Sequence, residues 1–373
     1  MRIVIDARFY GLENAGLGRY TIKLVEELVK IAKNHEFIIF LPEAYKSIAL
    51  SDNWTGVPVY YRHYSFREQV YLAREINKYT PDLVHFLHFN VPLLYNRPYL
   101  VTVHDMLMHN RVGKEATTLP SYMYHLKRMG YKKVFSHAVT SAKHVIVPTN
   151  TVKGELMQSF SLLESKFSVI YEGVDAFQKM KIKKEELLRK YELTEPYFFY
   201  AGNAYPHKNV GRMIEAIKFL NECSKKHALL AITTPRNVFS SRLEALIRDS
   251  FATDYVRLLP FVSDEEMGVL LQHSESFIFA SLSEGFGLPG LEAMKMGTMV
   301  AASDIPVFHE VYQEHAMYFN PFDFSSIAKS MEDMLSLKSE SRKEKIINAK
   351  KFVEKYSWKK TAEQTLEIYN SFE

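Results

Sequence analysis

Two carboxylates separated by a glycine-rich turn carry the strongest chemical signal in this chain: Glu284-Gly-Phe-Gly-Leu-Pro-Gly-Leu-Glu292. Pro289 suits the first turn of a helix, where its missing N–H costs nothing. The amides that open such a helix point at whatever lies before it, and the helix dipole favours an anion there. Glu292 falls inside that helix, where its carboxylate can accept two hydrogen bonds from a ribose diol. Glu284 precedes Gly285 and can hold sugar hydroxyls, or stabilise positive charge building at an anomeric carbon. Hydroxyl-seeking carboxylates beside a phosphate-seeking helix start point to a sugar joined to a phosphate. The competing reading is a dipole-favoured Glu284 and a surface Glu292. It loses ground to the fixed offsets of Gly285, Gly287 and Pro289.

Three further clusters fit the same ligand. Ala201-Gly202-Asn203-Ala-Tyr-Pro-His207-Lys208-Asn209-Val210 reads as a strand, a loop and a helix beginning near Asn209, a favoured N-cap residue. Lys208 sits where its ammonium can reach a diphosphate at that helix start. Gly16-Leu-Gly18-Arg19-Tyr20 opens the first long helix, and a residue without Cβ lets backbone approach a diphosphate closely. The loop before it is too long for the dinucleotide fingerprint and the third glycine is missing, which argues against a nicotinamide dehydrogenase. Thr102-Val-His104-Asp105 lies at the carboxyl end of a strand, where ligands of open α/β sheets collect. An imidazole there can donate to a sugar hydroxyl or meet a developing charge. Taken singly, a loop lysine, a helix-opening glycine pair and a strand-end histidine are structural as often as functional. Their weight comes from two βα turns suited to gripping one diphosphate from both sides. His85, His88 and His109 match no usual zinc spacing, and no two aspartates are separated by one residue.

The elements that must position these residues fall into two series. In the first, short apolar strands are expected at 2–7, 36–41, 57–61, 83–87, 99–104 and 144–148, with a helix over 19–33 and helical stretches between the rest. The pattern restarts with strands at 197–201, 227–233, 255–259, 276–280 and 298–302, and a helix from about 209 to 224. Strands alternating with helices imply parallel sheets covered on both faces. The fold class is therefore α/β, with two Rossmann-like doubly wound domains. The expected division is 1–174 and 175–358. The last helix, 359–373, crosses back onto the first domain, and the join lies near 174–194.

Composition sets the outer limits. The 373 residues are 47% hydrophobic and 24% charged, as in an ordinary well-packed globular protein. A single cysteine, Cys223, excludes an intrachain disulfide and suits a reducing compartment. The apolar run at 2–7 is broken at once by Asp6 and Arg8, unlike a signal peptide, and no run is long enough to span a bilayer. A cytoplasmic location is expected. Net charge is +4, and the surplus sits in residues 1–175, with 21 Lys+Arg against 16 Asp+Glu. That imbalance suits an anionic membrane or an acidic substrate, or is simply a solvated basic surface.

In this order, the motifs resemble the retaining glycosyltransferases of family four, with the GT-B fold. The likeness runs over nearly the whole chain: the Gly16 loop, Thr102-Val-His104-Asp105, Val147-Pro-Thr-Asn150, Tyr171-Glu-Gly-Val-Asp175, 200–210 and 281–292. It implies a nucleotide-diphosphate sugar in a cleft between the domains. Glu292 is then the ribose ligand and Lys208 the diphosphate ligand. Glu284, Phe286 and the amides of Gly287 and Leu288 lie on the donor sugar and β-phosphate. Gly16 approaches the diphosphate, His104 sits by the transferred sugar, and Val262 presents the backbone edge that reads the base. Asn203 stands where many members carry an arginine, and Arg236, in Thr234-Pro235-Arg236, is a candidate substitute cation. The resemblance further implies a metal-independent site and same-face attack through an ion-pair-like transition state.

The expected function is transfer of a hexose to a hydroxyl of a glycan or lipid-linked acceptor. The details resemble bacterial mannosyltransferases of surface-polysaccharide assembly, so GDP-mannose is the expected donor and a UDP-sugar the alternative. No cofactor beyond the donor and no nucleic-acid partner is expected. A nucleotide-sugar binding module without turnover would not need both His104 and Glu284, and the Glu284 to Glu292 segment speaks against an epimerase. Residues 121–135 mix aromatic and basic side chains in a helical region. They are a candidate seat on an anionic membrane surface, unless Tyr124, Met129 and Val134 pack into the core.

Overall fold

The computed structural model describes residues 1–61, 63–110, 121–177, 182–193 and 196–373. The chain divides into two compact units, one formed by 1–173 with 356–373 and the other by 174–355. The segment expected to join the two domains falls partly on 178–181 and 194–195, outside the described residues. Its charged helix is Lys184–Lys190.

The first unit holds a seven-stranded sheet of β1 (Arg2–Asp6), β2 (Glu36–Pro42), β3 (Trp54–Val59), β4 (Leu83–Phe86), β5 (Tyr99–Thr102), β6 (His144–Val147) and β7 (Phe167–Val169). The order is β3-β2-β1-β4-β5-β6-β7, with every pairing parallel. Parallel sheets are covered on both faces, so their strands read as continuous apolar runs. Ile3, Val4 and Ile5 accordingly lose nearly all exposure. The second unit repeats the plan with β8 (Tyr197–Ala201), β9 (Leu229–Thr233), β10 (Val256–Leu259), β11 (Ser276–Phe279), β12 (Val300–Ser303) and β13 (Ala316–Phe319), in the order β10-β9-β8-β11-β12-β13. The expectation of two Rossmann-like parallel sheets is met.

Three local expectations change. β7 and β13 were not foreseen. β7 has only three residues with Ser168 at its centre, and β13, though apolar throughout, is a four-residue edge strand whose first three residues are half-buried. β3 starts at Trp54 because that ring stacks on Phe37 of β2 at 4.1 Å. The first helix spans Ala15–Ile31 rather than 19–33, so Gly16 and Gly18 lie in its first turn. A Cβ on Gly18 would stand 1.8 Å from the Gly11 carbonyl oxygen, whereas one on Gly16 would meet no atom within 4 Å. Gly18 is thus fixed by packing, and Gly16 opens onto free space.

The last helix, Trp358–Asn370, belongs to the first unit. Tyr369 is fully buried and its hydroxyl lies 2.6 Å from His85 Nδ1, while Thr361 Oγ1 donates to the Tyr171 carbonyl. A Cβ on Gly173 would fall 2.1 Å from the Trp358 amide nitrogen, so only glycine lets the start of this helix close on the chain leaving β7. Gly173→Ala is expected to lower unfolding free energy by roughly 1–3 kcal/mol through overpacking. Urea denaturation followed by circular dichroism measures it, and an unchanged midpoint would show that this junction is not tightly closed.

Candidate active site

The strongest candidate lies at the carboxyl edge of the second sheet. From β8 the chain proceeds to β9 and β10 on one side, and from β11 to β12 and β13 on the other. β8 and β11 are neighbours, so the turns leaving them diverge and open a crevice, the place where ligands of doubly wound sheets bind.

The turn after β8 passes Gly202, at φ 156, then Asn203, whose carbonyl accepts the Tyr200 hydroxyl at 2.7 Å. Pro206–Lys208 forms one 3-10 turn before the helix Val210–Cys223. Asn209 occupies the N-cap position, but its side chain does not cap. It takes the left-handed conformation at φ 59, and its Nδ2 donates to the Pro321 carbonyl at 2.7 Å. Asparagine tolerates that backbone region better than most residues, which explains its presence better than capping does.

The turn after β11 carries Glu284 and ends at Gly287, φ 99, the N-cap of the helix Leu288–Met296. Pro289 lies at the expected helix start, and no side chain caps the first turn. The loop is shaped from below. The Tyr312 hydroxyl donates to the Gly287 carbonyl at 2.5 Å, and Tyr312 and Phe308 are fully buried. A Cβ on Gly287 would stand 2.4 Å from that hydroxyl and 2.8 Å from Phe308. One on Gly290 would stand 2.4 Å from the hydroxyl and 2.5 Å from the Tyr312 ring. The Leu282 amide donates to the His207 carbonyl at 2.8 Å, tying the two turns together.

Lys208 and Glu284 meet across this seam. Lys208 Nζ donates to Glu284 Oε1 at 2.5 Å, with side chains 18% and 11% exposed, and Nζ lies 5.7 Å from the centre of the Phe279 ring. A nearly buried ion pair loses hydration on both partners, so it is a costly arrangement to retain for stability alone. Burial and the charge of Glu284 push the Tyr200 phenol well above its ordinary pKa, keeping its proton on the hydroxyl that holds Asn203. Glu292 is buried inside the helix rather than on its surface. Phe286 and Leu288 are buried. Val262 is buried after β10, just ahead of Ser263, which forms a capping box with Glu266. Arg236 is exposed beyond β9, where Asn237 caps the next helix.

On the first unit, His104 follows β5 with both ring nitrogens turned to acceptors of the same unit. Nε2 lies 3.0 Å from the Leu87 carbonyl oxygen and Nδ1 3.4 Å from Glu172 Oε1. The edge of Tyr20 packs on the ring at 4.5 Å. Beneath it, His85 bridges Thr102 and Tyr369, and burial with the nearby His104 pushes His85 down to about 3. Among the described residues no three His, Cys, Asp or Glu side chains gather as a metal site. The sequence reading did not anticipate Tyr312, Phe308, Tyr200 or the Glu172 contact. Glu172 and Tyr200 left a trace, inside the Tyr171-Glu-Gly-Val-Asp175 motif and the 200–210 segment.

Known proteins resemble this chain over nearly its whole length. The family model of glycosyl transferases group 1 matches residues 183–352, and that of glycosyltransferase family 4 matches 15–177. The chain is 30% identical over 257 residues to the O-antigen chain mannosyltransferase RfbU of Salmonella typhimurium, a match that spans 68% of this chain and 65% of that protein. It is 25% identical over 395 residues to O-antigen chain mannosyltransferase B of Escherichia coli, covering 99% of each. Among solved structures, Anabaena Alr3699/HepE in complex with UDP-glucose superposes with a TM-score of 0.75 over 100% of both chains, at 15% identity, a likeness of fold.

Gly290→Ala is expected to cost roughly 1–3 kcal/mol of stability by driving a methyl into Tyr312. Gly16→Ala, facing open space in a helix, is expected to change stability by less than about 0.5 kcal/mol, or to raise it slightly. Equal losses in urea denaturation would contradict the assignment of Gly290 to packing.

Proposed function

The chain belongs to the glycosyl transferases group 1 and glycosyltransferase family 4, with the GT-B fold, and from that premise we propose that it transfers mannose from GDP-mannose to a hydroxyl of a growing glycan, with retention of configuration and without a metal ion. The observation that carries the reading is the contact of Lys208 with Glu284 at the switch point of the second sheet. The choice of mannose draws on the mannosyltransferase names of the relatives. A UDP-hexose is the second donor, supported by the UDP-glucose held by the HepE fold neighbour.

In this reading the diphosphate takes the Lys208 ammonium, together with the Gly287 and Leu288 amides at the helix start. Glu284, released from Lys208, accepts hydroxyls of the sugar. Glu292 holds the ribose diol, Val262 offers backbone to the base, and Asn203 adds a neutral donor near the diphosphate. Gly16 and His104, on the first unit, are the proposed contacts of the diphosphate and of the transferred sugar. The bond from the anomeric carbon to the β-phosphate oxygen breaks, and a bond from the same face of that carbon to the acceptor oxygen forms. The acceptor proton passes to the departing phosphate oxygen, giving nucleoside diphosphate and glycoside. Lys208 and the amides stabilise charge on the leaving group, an interaction that strengthens in the transition state.

The second proposed partner is an anionic membrane surface. No helix among the described residues is long and apolar enough to cross a membrane. The helix Ser121–Thr140 nevertheless exposes Tyr122, Leu126 and Met129, at 74%, 71% and 70%. Spacings of four and three put them on one stripe, flanked by exposed Lys127, Lys132 and Lys133. Met129 therefore does not pack into the core, and such a helix suits the interface of a membrane bearing a lipid-linked acceptor.

Lys208→Ala is expected to weaken GDP binding and to cut transfer by about a hundredfold or more, whereas Glu284→Ala keeps GDP affinity and loses turnover to a similar degree. Steady-state kinetics with GDP-mannose and calorimetric titration of GDP separate the two, and near-normal turnover of either variant overturns the site. Changing Lys127, Arg128, Lys132 and Lys133 to Glu is expected to abolish co-sedimentation with phosphatidylglycerol vesicles. Unchanged sedimentation rejects the membrane seat.

A further inference from the structure

At the amino edge of the second sheet, opposite the crevice that the turns after β8 and β11 open, a cavity of about 730 Å³ lies between the strands and the helix Ser339–Phe352. Met299 and Val300, entering β12, and Ala316 and Met317, entering β13, line one side. Ile346, Ala349 and Phe352 line the other, at spacings that put them on one face of the helix. Ala349 is the one buried residue of that helix, which therefore does not fill the space above the strands. The volume is that of a small-molecule site.

The rim of this cavity is cationic. Lys345, Lys351 and Lys355 line it, all three exposed, against one carboxylate, Glu314. The His315 ring packs 4.2 Å from the Phe352 ring, and Lys355 Nζ lies 3.9 Å from the centre of that same ring. His315 Nε2 lies 3.4 Å from Glu314 Oε1. Burial pushes His315 below its ordinary pKa; Glu314 opposes the fall, and Lys355 and Lys345 add to it, so the ring is neutral at physiological pH. Burial also lowers Lys355, with Glu314 opposing. Three lysines, one carboxylate and a neutral imidazole leave two positive charges around one cavity.

The helix dipole accounts for Lys350 and Lys351 in the last turn. It does not account for Lys345, well inside the helix, or for Lys355, whose ammonium is held over an aromatic ring and partly dehydrated. Like charges gathered at a cavity repel, and an anion between them relieves that cost. A phosphate monoester carries close to two negative charges at neutral pH, and compact ammonium groups meet its oxygens as point charges. The apolar side of the cavity would stay wet under a phosphate alone, so the group that fits also carries an apolar body. We propose that this cavity binds a phosphate monoester with an apolar body, its dianionic head between Lys345 and Lys355 and its body against Met299, Val300, Met317 and Ile346. The inference does not rest on the glycosyltransferase reading, because none of these residues belongs to the donor crevice.

Calorimetric titration of hexyl phosphate into the full chain tests it, with hexanol and inorganic phosphate as the headless and bodiless controls. Hexyl phosphate is expected to bind, inorganic phosphate to bind about tenfold more weakly, and hexanol not to bind measurably. Lys345→Gln and Lys355→Gln are each expected to weaken hexyl phosphate binding by about fivefold or more, and Lys208→Ala, in the donor crevice, by less than about twofold. Proton NMR of the His315 ring locates the ligand: its titration is expected to move upward on saturation, because the dianion offsets the two ammonium charges that depress it. No binding, equal binding by the parent and both lysine variants, or a His315 titration that hexyl phosphate leaves unmoved overturns the site. Co-sedimentation with phosphatidate vesicles then tells the source. Retention that Lys355→Gln reduces severalfold names a lipid phosphate, and hexyl phosphate binding without that reduction names a free phosphate monoester.

Discussion

An ammonium and a carboxylate that lie 76 positions apart in the chain meet at 2.5 Å, almost out of water, at the edge of a parallel sheet. The turns after β8 and β11 converge on that pair. Each charge loses hydration that the other only partly replaces, so the contact persists only if the two turns cannot drift apart. The fold prevents drift in three ways. β8 and β11 are adjacent, the Leu282 amide binds the His207 carbonyl, and Tyr312 anchors the Gly287 loop from within the core. A charged ligand entering such a site does not have to dehydrate the lysine, since the protein has already done so. For the proposed diphosphate, that is preorganisation.

The first unit applies the same principle with opposite emphasis. Its switch point holds a buried guanidinium saturated by its own carboxylates, so the charges there serve to position loops rather than to receive an anion. Beside it the Phe9 ring stacks on His63 at 3.9 Å and lies 4.7 Å from His88. The His104 ring, after β5, is oriented by Leu87 and Glu172.

Much of this was legible in the sequence because the signals are local. Pro289, the glycines around it, and Lys208 at the end of a strand-loop-helix each advertise a helix start within a few residues. The two strand series followed from apolar runs, and β7 and β13 escaped because one is three residues long and the other lies half-buried at an edge. What sequence could not show are contacts across distance. Gly287 stood out in the sequence only for its amide and Gly290 not at all, yet Tyr312 lies beneath both and packing demands a glycine at each. Asn209 reads as a cap and is instead a left-handed joint tied to Pro321. His63 and Phe9 carry no motif at all, and only the folded chain stacks them.

A crystal structure of the full chain with GDP-mannose tests the central claim most directly. The account predicts the diphosphate against Lys208 Nζ and the Gly287 and Leu288 amides, with Glu284 turned from the lysine to the sugar and Glu292 on the ribose. A diphosphate bound elsewhere, with Lys208 and Glu284 still in contact, would contradict it.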